Sequence, residues 1–392
     1  MVYSILIQVL LIGRTVWLEK LFGLDKLSHI HRLNGYATTI FILLHPILLT
    51  IGYAQTSHTS LITQFLTFFT SFEDVKKAVL AAILLLLIIF ISIRIVKKRL
   101  KYEYWYFVHL GTYLAILFAW GHQLKIGEDF LASSLFTYYW YFLYILIFGQ
   151  LLFFRFIAPL YNFWRFGFHV GKLVRENNST VSIYIAGKNL KNFKVKAGQF
   201  AILKFLDKNY WWQSHPFSFS MLPNGEALRF TMKNVGDFTS TVENIKPKTP
   251  VIIDGPYGVF TQEFSTKNKY LLIAGGIGIT PIRALVENLG KNGKDAVVIY
   301  SAKTQEDLVF KNELDDLAKA YKFKLLYILS QEKKDDYLFG RLNGSEITRL
   351  VPDIQERDTY ICGPHSLLHS LTHDFESLGI PKNQVHFEKF SF

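Results

Sequence analysis

The chain has 392 residues, a formal charge of +12 and a mean hydropathy of +0.21, with 50% hydrophobic and only 19% charged residues. That composition excludes a disordered or collagen-like chain, and the single cysteine, Cys362, excludes an internal disulfide and any multi-cysteine zinc or iron-sulfur site. A resident metal must therefore be held by histidine. The positive charge lies beside apolar spans, where the positive-inside rule accounts for it, so nucleic acid is not an expected partner.

In chain order, Asp, Glu, Lys and Arg are absent from 33–72, 78–93, 104–124 and 130–154, and a shorter uncharged stretch covers 1–13. A hydrocarbon core about 30 Å thick needs about 20 apolar helical residues. The pattern predicts five membrane spans, near 2–18, 31–53, 76–96, 103–123 and 132–156. The Thr-rich stretch 55–70 reads as an extramembrane loop. No cationic segment precedes the first span, which argues against a cleaved signal peptide. The connection 94–101 carries Arg94, Lys97, Lys98, Arg99 and Lys101 without an acid, whereas the loop near Lys125 also holds Glu128 and Asp129. The basic connection is thus assigned to the cytoplasm, and everything after Phe156 with it. The same count places Met1 outside, so the expectation includes a preceding helix beyond this sequence or an unusual insertion of the first span.

Ionisable residues at membrane depth mark functional sites, and His31, His45, His109 and His122 fall in or beside the second and fourth spans. The separations of 14 and 13 residues correspond to about 21 and 19.5 Å of helix. Each helix offers one imidazole near each membrane face. Two such helices can clamp two stacked haems, His31 with His109 on the inner side and His45 with His122 on the outer. His29 is the rival for the inner position. At about 100° per residue, His109 and His122 stand about 140° apart on an ideal helix, so the pattern calls for a bend or irregularity near Gly111 or Gly121. Arg14 and Arg32 suit either haem propionates or the positive-inside rule.

From about Trp164 the chain turns to short alternating runs, such as 180–186 and 227–232, separated by Gly, Pro and Asn. These predict a small antiparallel barrel. After Lys269 the order becomes strand, Gly turn, helix, strand, which predicts an open α/β nucleotide-binding layer.

Five short motifs punctuate this half: HPFSFS at 215–220, KNVGDFT at 233–239, DGPYG at 254–258, GGIGITP at 275–281 and CGP at 362–364. Their order and spacing resemble the ferredoxin-NADP reductase superfamily, and the histidine spacing resembles the NADPH oxidase and ferric reductase family of membrane flavocytochromes. The resemblance covers nearly the whole chain. It implies a multidomain fold: an α-helical membrane bundle binding two b-type haems (1–160), an antiparallel β-barrel FAD domain (161–265) and an α/β nicotinamide-nucleotide domain (266–392).

Carried onto this sequence, the resemblance sets His215, Pro216, Phe217 and Ser218 along the flavin, with the Ser218 hydroxyl near the reactive edge. Lys233 stands where relatives commonly have Arg, exchanging a bidentate phosphate contact for a point charge. Gly236 and Thr239 would meet the FAD pyrophosphate. Gly276, Gly278, Thr280 and Pro281 form the turn that lets a nicotinamide dinucleotide approach. Ser301 and Lys303 follow the next strand, where no acid sits to bind a free ribose diol, so NADPH is expected with NADH tolerated. Cys362 and Gly363 would lie beside the nicotinamide. Phe390 completes a Glu388-x-aromatic spacing that covers the flavin face in relatives, with the terminal Phe392 as the alternative; Ser218, Cys362 and Phe390 are the catalytic candidates.

The implied activity is electron transfer from cytoplasmic NADPH through FAD and two haems to an acceptor across the cell membrane. Dioxygen giving superoxide is the first expectation and a ferric chelate the second. A haem-containing subunit serving an external partner protein, and a transporter with a regulatory nucleotide domain, are the readings of other classes. Membrane lipid is the one partner the sequence requires.

Overall fold

The computed structural model describes residues 1–93, 102–126 and 133–388. The basic connection 94–101, the acids Glu128 and Asp129, and the lid candidates Phe390 and Phe392 lie outside the described residues. The chain forms two compact units, one of Met1–Thr15 with Leu27–Phe154, the other of Val16–Lys26 with the chain from Arg155 onward.

The first unit is helical. Helix α1 (Val2–Ile12) is followed by α2 (Val16–Thr56), α3 (Leu61–Ser71), α4 (Glu73–Ser92), α5 (Tyr102–Ile126) and α6 (Ser134–Leu152); a π turn at Phe153–Ile157 then leads into α7 (Ala158–Phe166), which, like the first turns of α2, belongs to the second unit. Val16–Thr56, Glu73–Ser92 and Ser134–Phe166 are long and apolar enough to cross a membrane, and α5, with 25 residues, measures about 37 Å.

Three sequence expectations are corrected here. The first predicted span, 2–18, is an 11-residue helix of only about 16 Å, because Arg14 takes a left-handed φ of 55° and Thr15 is extended. A left-handed residue cannot continue a right-handed helix. The second span begins at Val16 rather than near 31, and Gly23 (φ 74°, ψ 149°) divides it, a conformation that the missing Cβ permits. The third correction concerns 55–70, which is not wholly a loop. Ser60 caps α3 by accepting from the Thr63 N–H at 3.1 Å, and the Thr67 and Thr70 hydroxyls donate to the carbonyls of Thr63 and Leu66. Thr residues bonded back in this way are accommodated in a helix.

Polar contacts join α1 to α2. Ser4 Oγ lies 2.5 Å from Thr38 Oγ1 and donates to Asn34 Oδ1, whose amide returns a bond to the Ser4 carbonyl at 2.8 Å. Between apolar helices such bonds and close small-residue packing replace the hydrophobic drive. Gly111 of α5 faces Ile88 of α4 in the same manner.

In the second unit, β1 (His169–Asn177), β2 (Thr180–Ala186), β3 (Phe200–Phe205), β4 (His215–Ser218), β5 (Ala227–Lys233) and β6 (Val251–Tyr257) are antiparallel. They form two three-stranded sheets, β1-β2-β5 and β4-β3-β6. The strands do not pair into one closed barrel: the two sheets are connected by the isolated bridges His169–Pro250 and Phe219–Phe230 and by backbone bonds such as that from the Val251 N–H to the Phe168 carbonyl at 3.0 Å. Their inward residues, Ile183, Ile185, Leu203, Phe230 and Ile253 among them, make one core. The short helix α8 (Asp237–Thr241) follows β5.

The remaining layer consists of β7 (Lys269–Gly275), α9 (Ile279–Lys291), β8 (Asp295–Ala302), α10 (Lys311–Tyr321), β9 (Lys324–Leu329), β10 (Leu338–Phe339), α11 (Gly344–Leu350), β11 (Arg357–Cys362), α12 (His365–Ser377) and β12 (Val385–Glu388). Its six strands are parallel in the order β10-β9-β8-β7-β11-β12. The strand order reverses between β7 and β11. In open parallel sheets ligands bind beyond the carboxyl ends of the strands at such a point.

Candidate functional site

The His31 and His109 ring centroids are 6.2 Å apart, and those of His45 and His122 are 6.3 Å apart. His31, not the rival His29, stands opposite His109. Both α5 rings reach their partners from one continuous helix, although the ideal phase set them far apart. A metal lies about 2.0 Å from a coordinating imidazole nitrogen, itself about 1.1 Å from the ring centre, so rings on opposite sides of one metal stand roughly 6.2 Å apart. The observed separations fit two axial pairs. Among the described residues no three His, Cys, Asp or Glu side chains converge on one point, whereas a metal held in a macrocycle needs only two axial protein donors.

Neighbours orient these rings. The His31 Nδ1–H donates to the Gln8 carbonyl at 3.2 Å, which leaves Nε2 as the nitrogen with the lone pair. His109 Nδ1 is 3.2 Å from Ser92 Oγ. His122 Nδ1 is buried with no hydrogen-bond partner among the described residues.

In the second unit, one cavity of about 170 Å³ gathers residues from distant parts of the chain. Pro216, Phe217 and Ser218 of the HPFSFS motif, Lys233, Thr239 and Thr280 line it, as do Glu388, Asp25, Thr231 and Ile277. Strand β4 lies at the edge of its sheet, with Phe217 opposite Ala201 and Ser218 opposite Phe200. The His215 ring stacks on Phe238 at 4.1 Å and holds this edge against α8. Ser218 Oγ and Glu388 Oε2 are buried without hydrogen-bond partners among the described residues. Orphaned polar atoms facing a cavity suit a polar heterocycle. Asp25 was not singled out from the sequence; an acid within the charged segment 19–26 carries no signal of a cavity built from residues some 190 positions away.

The dinucleotide turn divides its labour. Gly276 borders open space, while a Cβ on Gly278 would stand 2.1 Å from the Cys362 carbonyl oxygen. Gly278 thus permits the β7 turn to cross the end of β11. Thr280 is buried, and its hydroxyl donates to the Ile277 carbonyl at 3.1 Å. Pro281 is buried in the first turn of α9. Ser301 and the exposed Lys303 stand at the carboxyl end of β8, on the same edge of the sheet as Gly276 and Gly363.

Other expected contacts are engaged within the protein. Lys233 pairs with Asp307 at 3.1 Å. The Gly236 N–H donates to Thr239 Oγ1 at 3.0 Å, closing the turn on itself. Cys362 is fully buried and does not line the cavity; its register neighbour on β12 is Glu388, which does. Burial pushes the Cys362 thiol well above its ordinary value, with Glu388 and Asp25 adding to the effect.

Comparison with known proteins agrees with this division. Residues 1–120 match the ferric reductase like transmembrane component, residues 165–261 an FAD-binding domain, and residues 272–372 an oxidoreductase NAD-binding domain. These matches give the chain the domain make-up of a ferric reductase/NADPH oxidase-type oxidoreductase. Relatives of this reductase include an NADPH oxidoreductase of Mycobacterium tuberculosis, 28% identical over 225 residues that cover 55% of this chain and 58% of the relative. Another is a probable dihydroorotate dehydrogenase B electron transfer subunit of Methanocaldococcus jannaschii, 29% identical over 56% of this chain and 76% of its own. The reductase thus spans little more than half the length of the first of these. Flavohemoglobin from Malassezia yamatoensis shares the fold over 71% of this chain and 74% of its own, with a TM-score of 0.52 at 21% identity.

Proposed function

We propose that this oxidoreductase carries electrons from cytoplasmic NADPH, through FAD and two haems, to an acceptor on the opposite membrane face. The observation that supports this reading best is the pair of imidazole separations, 6.2 and 6.3 Å, set on α2 and α5 at two levels of the helices. When bound, FAD would convert a two-electron hydride donor into single electrons, which haems carry one at a time.

The chain's residues supply position and environment. His31, His45, His109 and His122 would hold the two haems. Pro216, Phe217 and Ser218 would border the isoalloxazine, with the Ser218 hydroxyl and the Glu388 carboxyl as its polar neighbours. Gly276 leaves room for a pyrophosphate at the end of β7, and Ser301 with Lys303 would receive a 2′-phosphate. A haem held by two imidazoles would offer dioxygen no open position on its iron. Dioxygen giving superoxide is the acceptor we assign.

A reduced-minus-oxidised spectrum with haem and flavin counts tests the route. Two low-spin haems and one FAD per chain are expected, with NADPH-dependent, superoxide dismutase-sensitive reduction of an external dye. One haem or none defeats the two-haem route. Turnover of a ferric chelate without superoxide reassigns the acceptor, and turnover only with an added protein makes the chain a delivery subunit.

A further inference from the structure

We propose that Ser92 is a positioning residue for the His31–His109 site, holding His109 as the Nδ1–H tautomer and making its metal-facing nitrogen more basic. The inference rests on the two-haem reading above and concerns residues which that reading leaves unused.

The argument is a count of protons. A serine hydroxyl has one hydrogen to donate and two lone pairs to accept with. Ser92 Oγ donates that hydrogen to the Ile88 carbonyl at 2.7 Å, one helical turn back. Trp105 Nε1–H, which can only donate, points at the same oxygen from 3.2 Å. The third neighbour is His109 Nδ1, also at 3.2 Å. With the serine hydrogen committed to a carbonyl, this last bond forms only if His109 Nδ1 carries the proton. Nε2 then holds the lone pair. Trp105 also stacks on the His109 ring, with centroids 5.1 Å apart and planes 30° from parallel, which fixes the ring's rotation.

The opposite ring reaches the same state independently, through the His31 Nδ1–H bond to the Gln8 carbonyl. Both imidazoles of this pair therefore donate from Nδ1. In the His45–His122 pair, His122 Nδ1 has no partner among the described residues. Donation from the distal N–H raises the basicity of the ligating nitrogen, and second-shell hydrogen bonding is one of the levers on a haem potential. A more basic ligand favours the oxidised metal. The His31–His109 site is accordingly the lower in potential, and electrons entering there move downhill to the His45–His122 site.

The test is spectroelectrochemical titration of the full-length chain in lipid nanodiscs, comparing wild type, Ser92→Ala and Ser92→Thr. Ser92→Ala should keep two haems per chain while the lower-potential component rises, by up to about tenfold in the oxidised-to-reduced ratio at fixed potential, or 59 mV for one electron. Ser92→Thr keeps a hydroxyl bonded one turn back and should restore the wild-type value. Loss of one haem from Ser92→Ala but not from Ser92→Thr supports the assignment through affinity. Unchanged potentials in Ser92→Ala with both haems present overturn it, as does a shift confined to the component that His45→Leu removes. Loss of haem from both Ser92 variants also overturns it. A wild-type chain without two haems is a different failure, that of the underlying two-haem reading.

Discussion

The Gly258 backbone N–H donates to the Glu19 carboxyl at 2.6 Å, across 239 positions of sequence. The bond ties the segment Val16–Lys26 to the DGPYG turn after β6. On its other side Gly258 packs against Glu388, whose Oε1 would stand 3.4 Å from a Cβ at that position. Asp25, from the same segment as Glu19, lines the cavity that Glu388 also borders. Three distant stretches of chain thus meet beside the candidate flavin site.

Glu19 is 2% exposed, so Glu19→Ala leaves a buried N–H without its acceptor at a cost of about 1–3 kcal/mol. The expected result is earlier thermal release of flavin and weaker FAD retention, with Glu19→Gln milder because its amide oxygen still accepts. Unchanged release temperatures in Glu19→Ala would remove this bond from the site's support.

The two histidine pairs should fail independently. His45→Leu or His122→Leu should abolish one haem while leaving FAD bound and flavin reduction by NADPH intact, because the candidate flavin cavity lies in the second unit. Haem counts and flavin fluorescence on the same preparations check this. Loss of both haems from either variant would contradict two separable sites.

The four membrane histidines could be singled out because an ionisable group stands out in an apolar stretch and helix rise converts spacing into depth. Phase misled, since side-chain reach and helix crossing absorb an angular mismatch of this kind. The break after α1 was hidden, because apolar length reports nothing of the left-handed backbone at Arg14. Likewise α3 read as loop on its threonines, whose hydroxyl bonds to preceding carbonyls appear only once the helix exists. The alternation at 180–186 and 227–232 located β2 and β5, but closure depends on edge pairing, which no alternation of residues encodes. Gly278 falls in the turn after β7, but its close approach to the Cys362 carbonyl depends on two strands meeting from 84 positions apart in sequence.

Lys303 should discriminate between nicotinamide cofactors. It is exposed at the end of β8, and its carbonyl accepts from the Gln331 N–H at 3.0 Å, which fixes the backbone while the side chain faces solvent. An exposed lysine contributes roughly 1 kcal/mol to an ion pair. Lys303→Ala should therefore raise KM for NADPH about fivefold while leaving KM for NADH nearly unchanged. Equal effects on both would place the 2′-phosphate elsewhere.

Glu388 should impose a pH dependence on the second unit. Its side chain is buried, and burial is the main cause that pushes its carboxyl well above the ordinary value of 4.5, with the nearby Asp25 and Glu19 carboxyls adding to it. The folded chain therefore retains a proton that the unfolded chain releases as pH rises past 4.5. The unfolded state binds fewer protons over that interval, so stability falls with rising pH until the folded carboxyl ionises as well, at up to about 1.4 kcal/mol per pH unit. Gln has nearly the shape of a neutral Glu and cannot ionise. Glu388→Gln should match the wild type near pH 4 and become progressively the more stable of the two toward neutral and alkaline pH. The midpoint of thermal flavin release, measured for both proteins at unit intervals from about pH 4 to 9, reads the difference directly. Parallel curves would mean that Glu388 is ionised in the folded protein, with a cation or water supplying the partner that its Oε2 lacks among the described residues.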